Sequence, residues 1–173
     1  TLFPYTTLFR SSEIKELRGD VLSGLNILIY APRRFGKTSF VLKTLEELES
    51  EKVKYVFLDL MYLSTVDEFI NKYFNVLAKS LEEPTDKVVS FFKSILKLRP
   101  NINVAFDSTG SPSFSLALSG EDKTKALEDV LNIPYEFTKN GQKIVVVFDG
   151  FQEIATLELE SKLRSVIQRH GDE

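Results

Sequence analysis

The sequence of 173 residues contains no cysteine. That absence removes disulfides, thiol nucleophiles and cysteine-based metal sites together. It also suits a reducing compartment, so a cytoplasmic location is the expectation. Positive charge is not in excess: the formal net charge is -3, which gives no global pull toward nucleic acid. A local basic patch stays open, but nucleic acid is not supported as a partner. No apolar run is long enough to span a bilayer. No basic n-region, apolar h-region and small-residue cleavage site line up at the start. Internal repeats and low-complexity tracts are missing too. Hydrophobic residues make up 43% and charged residues 27%, the balance of a globular chain of one domain with a sizeable core.

The most informative stretch is NILIYAPRRFGKTSF, Asn26 to Phe40. Asn26 to Tyr30 is a continuous apolar run and reads as a strand covered on both faces. A tight basic loop follows, and Gly36-Lys37-Thr38 opens a helix. The spacing is that of a phosphate-binding loop, G-x-x-x-x-G-K-[ST], with Ala31 in place of the first glycine. Alanine is tolerated there if the residue needs no positive φ. Pro32 has no N–H, so the cradle falls to Arg34, Phe35, Gly36, Lys37, Thr38 and Ser39, with Ala31 at the turn. Backbone amides and a helix N-terminus can surround a polyphosphate. Lys37 can reach the β and γ phosphates, and the Thr38 hydroxyl can hold Mg²⁺. ATP and Mg²⁺ are the expected cofactors. The blander reading is a basic turn that merely caps a helix; the strand before it and the helix after it weigh against that. Arg33 and Arg34 either draw the nucleotide in, or contact phosphate, or are simply solvated.

The first eleven residues, Thr1 to Ser11, resemble the translation of a short-read sequencing adapter. The expectation is that 1–11 is not biological and that 12–173 is part of a P-loop ATPase domain whose true N-terminus is missing. Helices are expected over Ser12–Leu22, Thr38–Ser50, Thr65–Leu81, Asp86–Leu98, Lys123–Asn132 with its continuation from Pro134, and Leu157–Arg169. Thr65 with Glu68 three residues on forms a capping-box pattern. Strands are expected at Lys54–Leu60 and Lys143–Asp149. Asp59 falls near the C-terminal end of its strand, where α/β sheets place ligands. Asn101–Gly120 alternates in hydrophobicity and reads as a β-hairpin, either a surface insertion or an arm that meets a partner. Apolar strands separated by helices predict an α/β, three-layer P-loop NTPase core with a mostly parallel sheet and a hairpin insertion, incomplete at both ends.

KIVVVFDGFQEI supplies the second half of a site. Apolar residues ending in Asp149 form a Walker B arrangement, whose carboxylate can hold Mg²⁺ beside Thr38. APRRFGKTS, the strand with FDGFQEI and the run SKLRSVIQRH together resemble the prokaryotic, archaeal-type P-loop ATPases, a group related to AAA+ and STAND proteins. The resemblance runs from Ser12 to the end. It implies that Lys37 and Thr38 are the Walker A contacts and Asp149 the Walker B ligand. It also implies a glutamate after that aspartate to polarise the attacking water. Here the position is Gly150. Either the chain binds ATP with little turnover, or the glycine is a sequencing error one base away from glutamate. Glu153 and Gln152 are weak substitutes. The resemblance further implies that a sensor strand, an arginine finger, a lid and an effector domain lie outside the segment. The fragment is then expected to be poorly soluble, with exposed apolar strand edges.

His170, the lone histidine, is expected to be solvated at a helix end. Asp59, Asp107 and Glu121 form no recognisable metal cluster. The leading function is an ATPase module that couples Mg-ATP binding and hydrolysis to conformational change, with oligomerisation and a partner protein left open. The alternative is a nucleotide-gated switch or scaffold that scarcely hydrolyses. A phosphotransferase is disfavoured, since nothing reads as an acceptor-binding lid.

Overall fold

The computed structural model describes residues 11–32, 34–97, 101–118, 123–139 and 141–171. The chain divides into two compact units, Thr1–Lys54 and Tyr55–Glu173.

In the first unit, helix α1 (Ser11–Leu22) packs on helix α2 (Lys37–Glu49). Helix α1 stops where Gly24 enters the left-handed region at φ 78. The amide of Gly24 then bonds the carbonyl of Val21 and that of Leu25 the carbonyl of Asp20, which satisfies two orphan carbonyls. Ile14, Leu45, Leu48 and Val53 are buried. Thr44 is buried among them, and its hydroxyl donates to the Phe40 carbonyl at 3.0 Å. Phe40 and Val41, one turn before Thr44 and Leu45, are only half-buried.

The strand expected at Asn26–Tyr30 does not form. Residues 25–32 are irregular, with Leu28 77% and Tyr30 94% exposed. An apolar run becomes a central strand only when neighbours on both sides complete its ladder. Among the described residues no strand pairs with this run.

The second unit holds the main core. Strands β1 (Lys54–Asp59) and β4 (Ile144–Asp149) form a two-stranded sheet. The amide of Leu60, just past β1, donates to the carbonyl of Asp149, the last residue of β4. The two C-terminal ends therefore lie together, as in a parallel pair. Helix α3 (Val66–Ser80) is capped by Thr65, whose hydroxyl accepts from the Glu68 amide at 3.2 Å. The Glu68 carboxylate reaches back to the Ser64 amide at 2.7 Å, one residue before the expected partner. Its apolar face carries Phe69, Tyr73, Phe74 and Leu77 into the core, with the Phe69 and Tyr73 rings against Phe148 of β4. Burial pushes the Tyr73 phenol well above its ordinary range, so it stays neutral at any working pH. Helix α4 (Thr85–Ile95) buries Val88 and Phe92.

The two helical stretches expected on either side of Pro134 are one helix, α5 (Lys123–Lys139). Proline removes one intrahelical bond. The buried face of Leu127, Val130, Leu131, Ile133 and Phe137 continues across it and holds the helix together. Beyond β4 the chain makes a short helix, α6 (Glu153–Thr156), and then α7 (Glu160–Gly171), where one longer helix from Leu157 was expected.

Strands β2 (Asn101–Phe106) and β3 (Pro112–Ala117) pair antiparallel, Asn101 opposite Ala117 and Phe106 opposite Pro112. The hairpin is fastened to α3. Asn71 and Asn75, one turn apart, accept from the amides of Leu116 and Phe114 at 2.7 and 2.8 Å. Two side-chain carbonyls thus stand in for a neighbouring strand along the β3 edge, while Phe114 and Leu116 are buried. Asn75→Ala should cost about 1–3 kcal/mol, because it strips a part-buried amide of its acceptor. A shift in the denaturant midpoint checks this. A change of a few tenths would show that water replaces the carboxamide.

Candidate functional site

The loop with the phosphate-type spacing lies in the first unit. Between 31 and 36 the chain turns tightly, with Arg34 at φ 68 and Gly36 at φ 70. Glycine takes this conformation freely, and arginine at a cost of roughly 1–3 kcal/mol, a strain typical of ligand-binding loops. Ala31 is not among the positive-φ residues, so the condition for alanine at the first motif position is met. The Phe35 amide is engaged within the loop, donating to the Pro32 carbonyl at 3.3 Å. Arg33 lies outside the described residues.

Gly36 then becomes the N-cap of α2, with no side chain bonded to the cap. The amide of Phe40 donates to the Gly36 carbonyl at 2.9 Å, which opens the helical ladder of α2. A Cβ built on Gly36 meets nothing within 4 Å. The Lys37 ammonium folds back over the loop, donating to the carbonyls of Ala31 at 2.7 Å and Pro32 at 3.1 Å. Cation, helix N-terminus and loop backbone therefore meet within the seven residues from Ala31 to Lys37. That set fits a polyphosphate, which takes donors only.

The carboxylate half lies in the second unit. Asp149 ends β4, and one carboxylate oxygen accepts from the Gly150 amide at 2.9 Å. The chain leaves β4 through Gly150 at φ 71. A Cβ at Gly150 would stand 2.9 Å from Met61 Cγ and 3.4 Å from the Met61 amide nitrogen. Glycine at 150 is thus built into the turn: both the dihedral and the space select it. The carbonyl of Gly150 accepts from the Glu153 amide at 2.9 Å, which starts α6. Gln152 is exposed and does not cap that helix through its side chain. Neither Gln152 nor Glu153 makes a side-chain hydrogen bond among the described residues. The Thr38 hydroxyl and Asp149 carboxylate are oxygen donors of the kind a hard divalent cation prefers.

Other polar residues are structural. Asp107 holds the hairpin turn, accepting from the amides of Thr109 and Ser111 and from the Thr109 hydroxyl. Those bonds keep its carboxyl below the ordinary range. Glu121 lies outside the described residues, and no group of three metal-ligating side chains occurs among the described ones. His170 is not merely solvated: its ring stacks on Tyr135 at 3.5 Å, and Nε2 sits 2.8 Å from the Asn132 carboxamide oxygen. It ties α7 to α5, a tertiary contact that no local pattern announces. No described helix is long and apolar enough to cross a membrane. The reading of 1–11 as an adapter falls outside the described residues, save for Ser11, which begins α1.

No curated protein and no solved structure matches the chain. Residues 20–166 match the KAP family P-loop domain, a span that takes in both Lys37 and Asp149.

Proposed function

Because the chain belongs to the KAP family of P-loop domains, we propose that it binds Mg-ATP and couples binding and hydrolysis to a conformational change, on a three-layer P-loop core. The observation that carries the reading is the Lys37 ammonium resting on the Ala31 and Pro32 carbonyls beside an uncapped helix N-terminus. In that resting arrangement the carbonyls stand where phosphate oxygens would serve as acceptors. Phosphate entry moves the ammonium from neutral acceptors to charged ones, which are stronger partners. The first-turn amides of α2 and its dipole then hold the remaining charge. The Thr38 hydroxyl and Asp149 would hold magnesium, which when bound neutralises charge on the phosphates. Relationship to archaeal-type and STAND ATPases is part of the same proposal.

One observation favours a second reading, a nucleotide-gated switch with little hydrolysis. Gly150 occupies the position of the expected base and sits in a left-handed turn. The test compares native chain with Gly150→Glu in ATP binding, turnover and thermal stability. A side chain at φ 71 against Met61 should cost roughly 1–3 kcal/mol. The expected result is saturable, magnesium-dependent ATP binding, measurable turnover in the native chain and no gain from glutamate. Turnover that emerges only with glutamate would establish the switch. Failure of the native chain to bind ATP at millimolar concentration would reject both readings.

A further inference from the structure

Strand β2 lies at the edge of the hairpin, and the turn fixes which of its backbone groups face outward. The Asp107 amide donates to the Ser111 carbonyl at 3.0 Å. In the register that sets Asn101 opposite Ala117, the pairs that exchange backbone bonds are then Ala105 with Ser113, Asn103 with Ser115 and Asn101 with Ala117. The residues between them turn their amides and carbonyls away from the hairpin. On β3 these are Phe114 and Leu116, whose outward amides are taken by Asn75 and Asn71 of α3. On β2 they are Ile102, Val104 and Phe106, and among the described residues no hydrogen bond reaches their amides or carbonyls. Edge strands are ordinarily blunted by charge, proline or a bulge. β2 reads NINVAF, without charge or proline, and its pairing with β3 is regular from Asn101 to Phe106. Ile102 and Val104 pack half-buried against the core, while Phe106 on the same face is 64% exposed.

We propose that this edge pairs with the same edge of a second copy, antiparallel about a two-fold axis at Val104. In that register Val104 faces its own copy, and Ile102 of each chain faces Phe106 of the other. Every outward-turned residue then exchanges both backbone bonds with its opposite. A slip of two residues either way would leave one of them on each chain without a partner. The exposed Phe106 ring lands beside Ile102 of the other copy, a cross-strand apolar pair. Charge selects the orientation. Lys97 and Arg99 precede β2 in the sequence, and Asp107 directly follows it. Antiparallel pairing brings the acidic end of each strand to the basic-flanked end of the other, whereas parallel pairing would set Asp107 against Asp107. The product is a continuous sheet in the order β3, β2, β2, β3. One strand pair is a small contact, at the low end of specific interfaces, so the dimer is weak and concentration-dependent.

Sedimentation of the full chain over a range of concentrations, with amide hydrogen exchange at both ends of the range, tests this. A dimer should appear as concentration rises, and exchange at the amides of Ile102, Val104 and Phe106 should slow with it by at least about tenfold. The inward amides of Asn103 and Ala105 should change far less, because β3 already holds them. Val104→Pro removes the amide at the axis from both chains, and proline is tolerated on an edge strand where the N–H faces outward. That variant should stay monomeric at concentrations where the native chain is dimeric. If Val104→Pro does not fold, Phe106→Pro at the strand end decides in the same way. A native chain that is monomeric at millimolar concentration overturns the proposal. A dimer that the folded variant leaves intact overturns it as well. So does protection of the outward amides that dilution does not change, which would mean that the chain covers its own edge.

Discussion

Lys37→Ala should lower ATP affinity by at least about 100-fold while leaving helix α2 in place. The ammonium donates two bonds at the turn, to the carbonyls of Ala31 and Pro32. Charge-assisted bonds contribute about 1.5–3 kcal/mol each, and two of them to phosphate oxygens correspond to two or more decades of affinity. Part of that is offset by the carbonyl bonds surrendered in the nucleotide-free loop, so the lower end of the range is the safer expectation. Lys37 is the first residue of α2, where alanine is a good helix former, so helical content should not change. Titration with a fluorescent ATP analogue reads the effect. Lys43→Ala is the control, since Lys43 pairs with Glu46 on the exposed side of the same helix. Equal affinity in native chain and Lys37→Ala would remove the phosphate-binding assignment.

Phe74→Ala should be the most damaging single change to the second unit, at about 3–5 kcal/mol. Phe74 is fully buried on α3, and its ring centroid lies 4.5 Å from that of Phe92 on α4 at an interplanar angle of 59°. Truncation loses the apolar burial, the tilted ring pair and the packing that joins the two helices. For a chain of this size each kcal/mol moves the melting temperature by about 2–4 °C, so a fall of roughly 6–20 °C is expected. Phe91→Ala on the same helix, only partly buried, should cost clearly less. Equal losses at the two positions would mean that the core is not organised around the Phe74–Phe92 pair.

Much of the second unit was legible in the chain. The Thr65 and Glu68 pair marked the start of α3, and the helical period expected over Thr65–Leu81 marked its extent to within one residue. KIVVVFD marked β4 to within one residue. These are local signals: a cap and a periodicity act over a turn or two and need no distant partner. The candidate site was legible in the same measure. The glycine, lysine and threonine spacing placed a cation and a helix N-terminus together because the loop is only six residues long.

What the residues alone settled is the chemistry on offer: a phosphate-type loop, an aspartate at a strand end and no thiol. Tertiary structure settled how those pieces are used. The apolar run at 26–30 carries strand-forming residues but stays irregular, because a strand is a property of a pair and its partner is not in the run itself. Gly150 looked like a missing glutamate, yet the left-handed turn past Met61 favours a glycine. Asp59 stood out in the sequence only as an aspartate at a strand end; the pairing of β1 with β4 set its carboxylate beside position 150. Contacts between residues ninety positions apart depend on how strands choose neighbours, and that choice is made by the energy of the whole core rather than by any local stretch.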